Sequence, residues 1–229
     1  MFRSSVTEGF LLFSRPFKED DTLCELWTEK QGRVRCRISG NPPEPYRQFE
    51  IKLSNKAGLP AVSNFRYTQP VLIDSNAARL LGFYVNELLY RLLPAGYGDS
   101  SLFGRYISTL LYLNEGENIQ PVLRFFEQGV LASLGMAVDY QQDANSLPVV
   151  AGQHYRFETG RGFVADAHGR YSGERIIAVN RQDYNLKGAL SLARECQRRQ
   201  IDELLGGGQP ILSRQWLVNL IQTKGASEA

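Results

Sequence analysis

Three arginines at alternate positions, Arg33, Arg35 and Arg37, have the type and spacing in this chain to grip an anion. They interleave with Val34, Cys36 and Ile38 in the stretch T-E-K-Q-G-R-V-R-C-R-I. A strand's side chains alternate between its faces, so one apolar face and one face of guanidiniums is predicted. Guanidiniums hold phosphate through paired hydrogen bonds, and a row of them suits a polyanion. An ordinary half-buried strand with a solvated outer face fits the same alternation. A second basic stripe is expected at Lys187, Arg194 and Arg198, on a helix predicted over 187–205, with Glu195 and Asp202 partly offsetting it. That stripe reads either as a solvated helix face or as a contact for nucleic acid or an acidic partner.

Arg124 is one of four basic residues in residues 73–150, and it lies between Leu123 and the pair Phe125-Phe126. A guanidinium beside aromatic groups can hold a carboxylate next to an apolar pocket. Glu127, or the loop around Glu117, is an equally good partner by spacing.

Covalent chemistry has no visible apparatus. The chain contains no G-x-S-x-G, no P-loop and no H-E-x-x-H. Its two histidines, His154 and His168, flank a hairpin, and its three cysteines, Cys24, Cys36 and Cys196, are scattered. Neither a disulfide framework nor a zinc site is expected from these spacings, and no cofactor is expected. The reading is of a binding protein, not an enzyme.

The elements that must position these residues follow from the punctuation. Phe10–Phe13, Thr22–Thr28, Arg33–Ser39, Phe49–Leu53 and Asn64–Tyr67 read as five short strands broken by Pro16, Gly32, Asn41-Pro42-Pro43, Gly58 and Pro60. Five strands in about 70 residues suggest a small barrel of the oligonucleotide-binding (OB) type. Beyond Pro70 the period turns helical. Asp74 or Ser75 caps a helix running to Leu93, Asp99 caps a second, and Pro121 opens a third that stops at Gly135. Gln153–Glu158 and Gly162–Asp166 form a hairpin, and a last helix is capped by Ser213 and runs to Ile221. The expected class is α+β. A five-stranded OB-like domain (1–72) precedes a mainly helical domain (73–229), with a β-excursion at about 150–180. The 229 residues carry a net charge of +2, split as +3, −4 and +3 over 1–72, 73–150 and 151–229. Two basic ends thus flank an acidic, leucine-rich middle. No apolar run is long enough to span a bilayer and no signal peptide is visible, so a cytoplasmic location, at the nucleoid, is expected.

Several blocks in order resemble the RecO family of bacterial recombination mediators. They are F-L-L-F-S-R-P-F-K-E-D-D (10–21), T-E-K-Q-G-R-V-R (28–35), G-F-Y-V-N-E-L-L-Y-R-L-L (82–93), L-R-F-F-E-Q-G-V-L-A-S-L-G (123–135), Y-R-F-E-T-G-R-G-F-V (155–164) and L-G-G-G-Q-P-I-L-S-R-Q-W-L (205–217). The resemblance implies an OB domain followed by a helical domain. It implies binding of single- and double-stranded DNA, annealing of complementary strands, and contact with the acidic, phenylalanine-ended tail of the single-strand-binding protein SSB. With RecR such a protein helps load RecA on SSB-coated DNA; RecF is a further candidate partner. By position, Arg33 and Arg35 match the family's basic strand, and Arg124 matches an arginine that looks like the holder of the SSB tail's carboxylate. Phe125 and Phe126 would form the apolar side of that pocket.

Two departures matter. The zinc-binding cysteines that many members carry in the β-excursion are missing, so the chain resembles the zinc-free branch. The basic loop that usually follows the arginine strand is here G-N-P-P-E-P (40–45), short and acidic. Lys52, Lys56 and Arg66, with Arg37 and Arg47, are the expected compensating cations, and Trp27, Phe49, Phe65 and Tyr67 the candidate stacking rings. The shortened loop also supports a second expectation: an adaptor for SSB and RecR that binds little DNA.

Overall fold

The computed structural model describes residues 6–18, 20–53, 58–62, 64–206 and 210–216. The chain divides into two compact units, residues 1–117 with 211–229, and residues 118–210.

In the first unit, β1 (Val6–Phe17), β2 (Asp21–Thr28), β3 (Gly32–Ser39), β4 (Arg47–Lys52), β5 (Ala61–Val62) and β6 (Phe65–Val71) form one curled mixed sheet. Its order is β5-β3-β2-β1-β4-β6, antiparallel except for β3 with β5. The sixth strand beyond the five expected is β5, whose two residues are too few to show a period. Leu11, Cys24, Leu26, Cys36, Ile38, Phe49 and Ile51 point inward and form the half-barrel's core. The alternation read from β3 therefore holds: Cys36 and Ile38 are buried while Arg35 and Arg37 are exposed.

The other face of β1–β3 is covered at one end by α1 (Asn76–Leu92) and α2 (Ser100–Glu115). This cover depends on a bulge. The β1–β2 register slips between Leu11 and Phe13. Residues three apart in a regular strand face opposite ways; one inserted residue puts them on the same face. Phe10 thus meets Phe103 and Tyr106 of α2, and Phe13 meets Phe83 and Tyr90 of α1. The carbonyls at the bulge are satisfied from the helix: the buried Asn86 side chain donates to Leu11 O (3.4 Å) and Leu12 O (3.2 Å). The Tyr106 hydroxyl donates to Asn86 Oδ1 at 2.7 Å and fixes the amide's orientation. Because α1 and α2 pack on the sheet, they belong to its compact unit, although the change from strand to helix falls between Val71 and Asn76.

The first two helix caps follow the sequence. Ser75 and Asp99 accept the N–H groups of Ala78 and Leu102. Gly32 has φ +65°, and a Cβ there would collide with the Tyr97 backbone. Residues 212–216 are helical, but Ser213 is not the cap. The buried Glu87 carboxylate of α1 accepts the Leu212 and Ser213 N–H groups, both at 2.9 Å, and the Ser213 hydroxyl. Residues 217–221 of the expected last helix lie outside the described residues.

The second unit holds α3 (Ile119–Ser133), β7 (His154–Glu158), β8 (Gly162–Ala165), β9 (Tyr171–Ser172), α4 (Gly173–Asn180) and α5 (Ala189–Leu204). α3 begins two residues before Pro121. α4 is absent from the sequence reading: eight residues with two adjacent isoleucines show no helical period, and the helix opens on glycine. That glycine is required, because the Val150 carbonyl occupies the place of a Cβ.

Asn86→Leu would strand two buried carbonyls and the Tyr106 hydroxyl. We expect a loss of about 1–3 kcal/mol, read from the urea midpoint of the full chain. Tyr106→Phe, which leaves the carbonyls satisfied, is expected to cost less.

Candidate nucleic-acid interface

The outer face of β1–β3 is built in cross-strand rows. Register aligns Phe10, Trp27 and Arg33; then Phe13, Glu25 and Arg35; then Arg15, Leu23 and Arg37. The arginine side of β3 thus runs from beneath the helices out to solvent. Arg33 lies at the covered end. Its Nε donates to Leu93 O at 2.9 Å, its NH1 to Glu25 Oε2 at 2.9 Å, and it sits over the Tyr90 ring. Arg33 therefore joins the sheet to the end of α1. Arg35 shares the nearly buried Glu25 carboxylate, whose hydrogen bond and charge raise its pKa, yet half its side chain is exposed. Arg37 pairs with Asp21 at 3.1 Å and is similarly open. Arg15 lies outside the expected strand, which stops at Phe13 before Pro16; β1 runs on to Phe17 and leaves Arg15 exposed on this face. It carries no ion pair among the described residues.

Three of the four arginines on this face are thus paired with two carboxylates, Glu25 and Asp21. Exposed ion pairs of this kind are worth about 0–1 kcal/mol, so Arg37 exchanges its partner easily. Arg33, held by three contacts, does not.

The other expected cations are dispersed. Lys52 is exposed at the end of β4, and Arg66 is exposed and pairs with Glu50 at 3.3 Å. Lys56 lies outside the described residues. Arg47 stacks on Tyr67 at 4.0 Å. Of the candidate stacking rings, Trp27 and Phe49 are fully buried, while Phe65 and Tyr67 are half-buried against the barrel core. The short loop after β3 is stapled at both ends: Gly40 N–H donates to Asp20 O, and Glu44 N–H to the Tyr67 hydroxyl.

In the second unit Arg194 and Arg198 are exposed on α5, with Arg198 3.6 Å from Asp202. Lys187 precedes the cap Gly188, so it stands outside the helix and the helical-stripe argument does not reach it. Glu195 is taken by Arg170 at 2.9 Å.

Arg124 is 5% exposed and its NH2 lies 2.6 Å from Oε1 of Glu127, itself 2% exposed. The in-chain partner left open by spacing is the one it has. Its Nε has no hydrogen-bond partner among the described residues. Consecutive helical residues point about 100° apart, and here they part company: Phe126 is core, and Phe125 is 39% exposed. Elsewhere in this unit glutamines of α3 and α5 bond to backbone and to each other in partly buried places. Gln128 donates to Val138 O at 2.7 Å, Gln197 donates to Gln128 Oε1 at 3.3 Å, and Gln200 accepts from Gly160 N–H. Burial raises the Tyr140 hydroxyl well above its usual range.

The cysteines are interior. Cys24 and Cys36 face each other across β2 and β3, and burial raises the Cys24 thiol to about 12. No group of three or more His, Cys, Asp or Glu fit to hold a metal ion occurs among the described residues. Nor is any helix among them long and apolar enough to cross a membrane.

The family model described as Recombination protein O C terminal matches residues 77–200. The DNA repair protein RecO of Stutzerimonas stutzeri (strain A1501) is 33% identical over 221 residues, 93% of each chain. This chain belongs to the RecO family. The DNA repair protein RecO of Pseudomonas putida is 32% identical over 216 residues, covering 90% of this chain and 94% of the relative. That of Hahella chejuensis (strain KCTC 2396) is 29% identical over 239 residues, 98% and 100% of the two chains. Membership places the chain among DNA repair proteins. The RecO match runs from the first turn of α1 into α5 and includes Arg124, Phe125, Arg194 and Arg198.

Arg124→Ala would leave the Glu127 carboxylate buried without its counter-charge. We expect a loss of about 3–5 kcal/mol, and the double change Arg124→Met with Glu127→Leu should recover most of it. Denaturant unfolding of the three proteins measures both.

Proposed function

We propose that this chain is a recombination mediator. It binds single- and double-stranded DNA, anneals complementary strands, engages the SSB C-terminal tail, and with RecR helps load RecA on SSB-coated DNA. Family membership together with the exposed guanidiniums of Arg35 and Arg37 on the half-barrel supports this reading. DNA contact proceeds by exchange: phosphate replaces Asp21 on Arg37 and competes with Glu25 for Arg35. Lys52, Lys56, Arg66, Lys187, Arg194 and Arg198 add non-specific attraction.

For the SSB tail, Arg124 is the proposed carboxylate holder. Its present partner is Glu127, so the tail must take that place, with exposed Phe125 supplying apolar contact. Phe126 is fully buried in the core, so of the two phenylalanines only Phe125 is offered to the tail.

A second reading, an adaptor for SSB and RecR with little DNA binding, is favoured by the stapled short loop and the internal counter-charges. The two separate in fluorescence anisotropy of labelled single- and double-stranded oligonucleotides over a salt series. The mediator reading predicts affinity that falls steeply with salt, with Arg37→Ala lowering the log–log slope by about one. No binding at low salt, with retained binding of an SSB-tail peptide that Phe125→Ala weakens, would establish the adaptor instead.

A further inference from the structure

Beyond the arginine rows, the first unit carries an unbroken run of aromatic rings that ends in solvent. Tyr90 and Phe13 have ring centroids 5.1 Å apart, and Phe13 and Phe83 5.2 Å. Phe83 and Trp216 are stacked at 5.1 Å with 27° between their planes. Tyr90, Phe13 and Phe83 are half-buried, and Trp216 is 45% exposed. The run starts at the arginines: Arg33 sits over Tyr90, and Arg35 interacts with Tyr90 as well. Phe13 is the near neighbour of Arg15 on the same face of β1.

Trp216 is held in place from below. The segment that carries it is anchored by the Glu87 carboxylate through Leu212 and Ser213. An indole with one side on a fixed ring and much of its surface in water is a preformed platform for another flat ring. The cations beside the run select an anionic occupant, and an unpaired nucleotide joins a free aromatic face to a negative charge. Bases of a duplex are already stacked on one another and offer no such face.

We propose that the outer face of β1–β3 and this aromatic run form a track for single-stranded nucleic acid. Trp216 stacks a base, and Arg15, Arg35 and Arg37 hold phosphates. The inference rests on the DNA-binding reading above and adds to it Trp216 and Arg15 as contacts for unpaired nucleotides. Neither Arg15 nor Trp216 is needed for the half-barrel core, so both can be changed in a folded protein.

The test uses the full chain, an oligothymidylate and a hairpin duplex. The track predicts that the oligothymidylate quenches tryptophan emission, and that Trp216→Phe abolishes the quench while retaining most affinity. Trp216→Ala should bind single strands roughly five- to a hundredfold more weakly and the duplex unchanged, and Arg15→Ala should lower the single-strand salt slope by about one. Single-strand binding without quenching, with Trp216→Ala equal to wild type, would overturn the track and leave the DNA-binding reading intact. Quenching only by an acidic peptide, or only on self-association, would reassign the platform to a protein partner and overturn it too. Absence of any DNA binding by the unchanged protein would overturn both.

Discussion

One extra residue in β1 governs the architecture of the first unit. Without the slip at Leu12, Phe10 and Phe13 would point to opposite faces, and one of the two would enter a barrel core already filled by Leu11, Leu26 and Phe49. With it, both rings reach the helices. A bulge leaves backbone carbonyls without ladder partners, and burying them unsatisfied would erase the gain. Asn86 resolves this by donating to both, and Tyr106 keeps its amide turned the right way. Sheet and helices are thereby held as one body.

The electrostatics follow from that docking. The helices cover the Arg33 end of the face, so Arg33 becomes a tie to Leu93 and Tyr90, while Arg35 and Arg37 stay open. Glu25 and Asp21 keep a cluster of guanidiniums from repelling itself in the free protein. The same two carboxylates are the groups a polyanion must displace, so affinity here is an exchange of partners and not the filling of a bare basic surface. Arg124 follows the same logic in a drier place, where separation from Glu127 is far more expensive.

Much of this was legible in the residues. Alternation in β3, the caps at Ser75 and Asp99, the hairpin at 153–166 and the blocks shared with the RecO family are local signals that survive folding. What stayed hidden was set by contacts distant in sequence. Nothing local to Leu12 announces a bulge, and Pro16 reads as a strand break although β1 continues through it past Arg15. Nothing in R-V-R-C-R tells which arginine lies beneath a helix 60 residues away in the chain. Glu87 looks like an ordinary helix-surface acid, yet it caps a segment 126 residues later. The spacing of Arg124 and Glu127 left their pairing open, and burial decided it.

Native-state hydrogen exchange tests most directly whether sheet and helix are one body. If the Asn86 clasp joins them, the amides of Phe10–Phe13 in β1 and of Leu88 and Leu89 in α1 open with a common free energy. Asn86→Leu then lowers both by the same amount. Wild-type protection in β1 of the variant, with loss confined to α1, would mean that the half-barrel stands without the helices and that the clasp is not what organises the face.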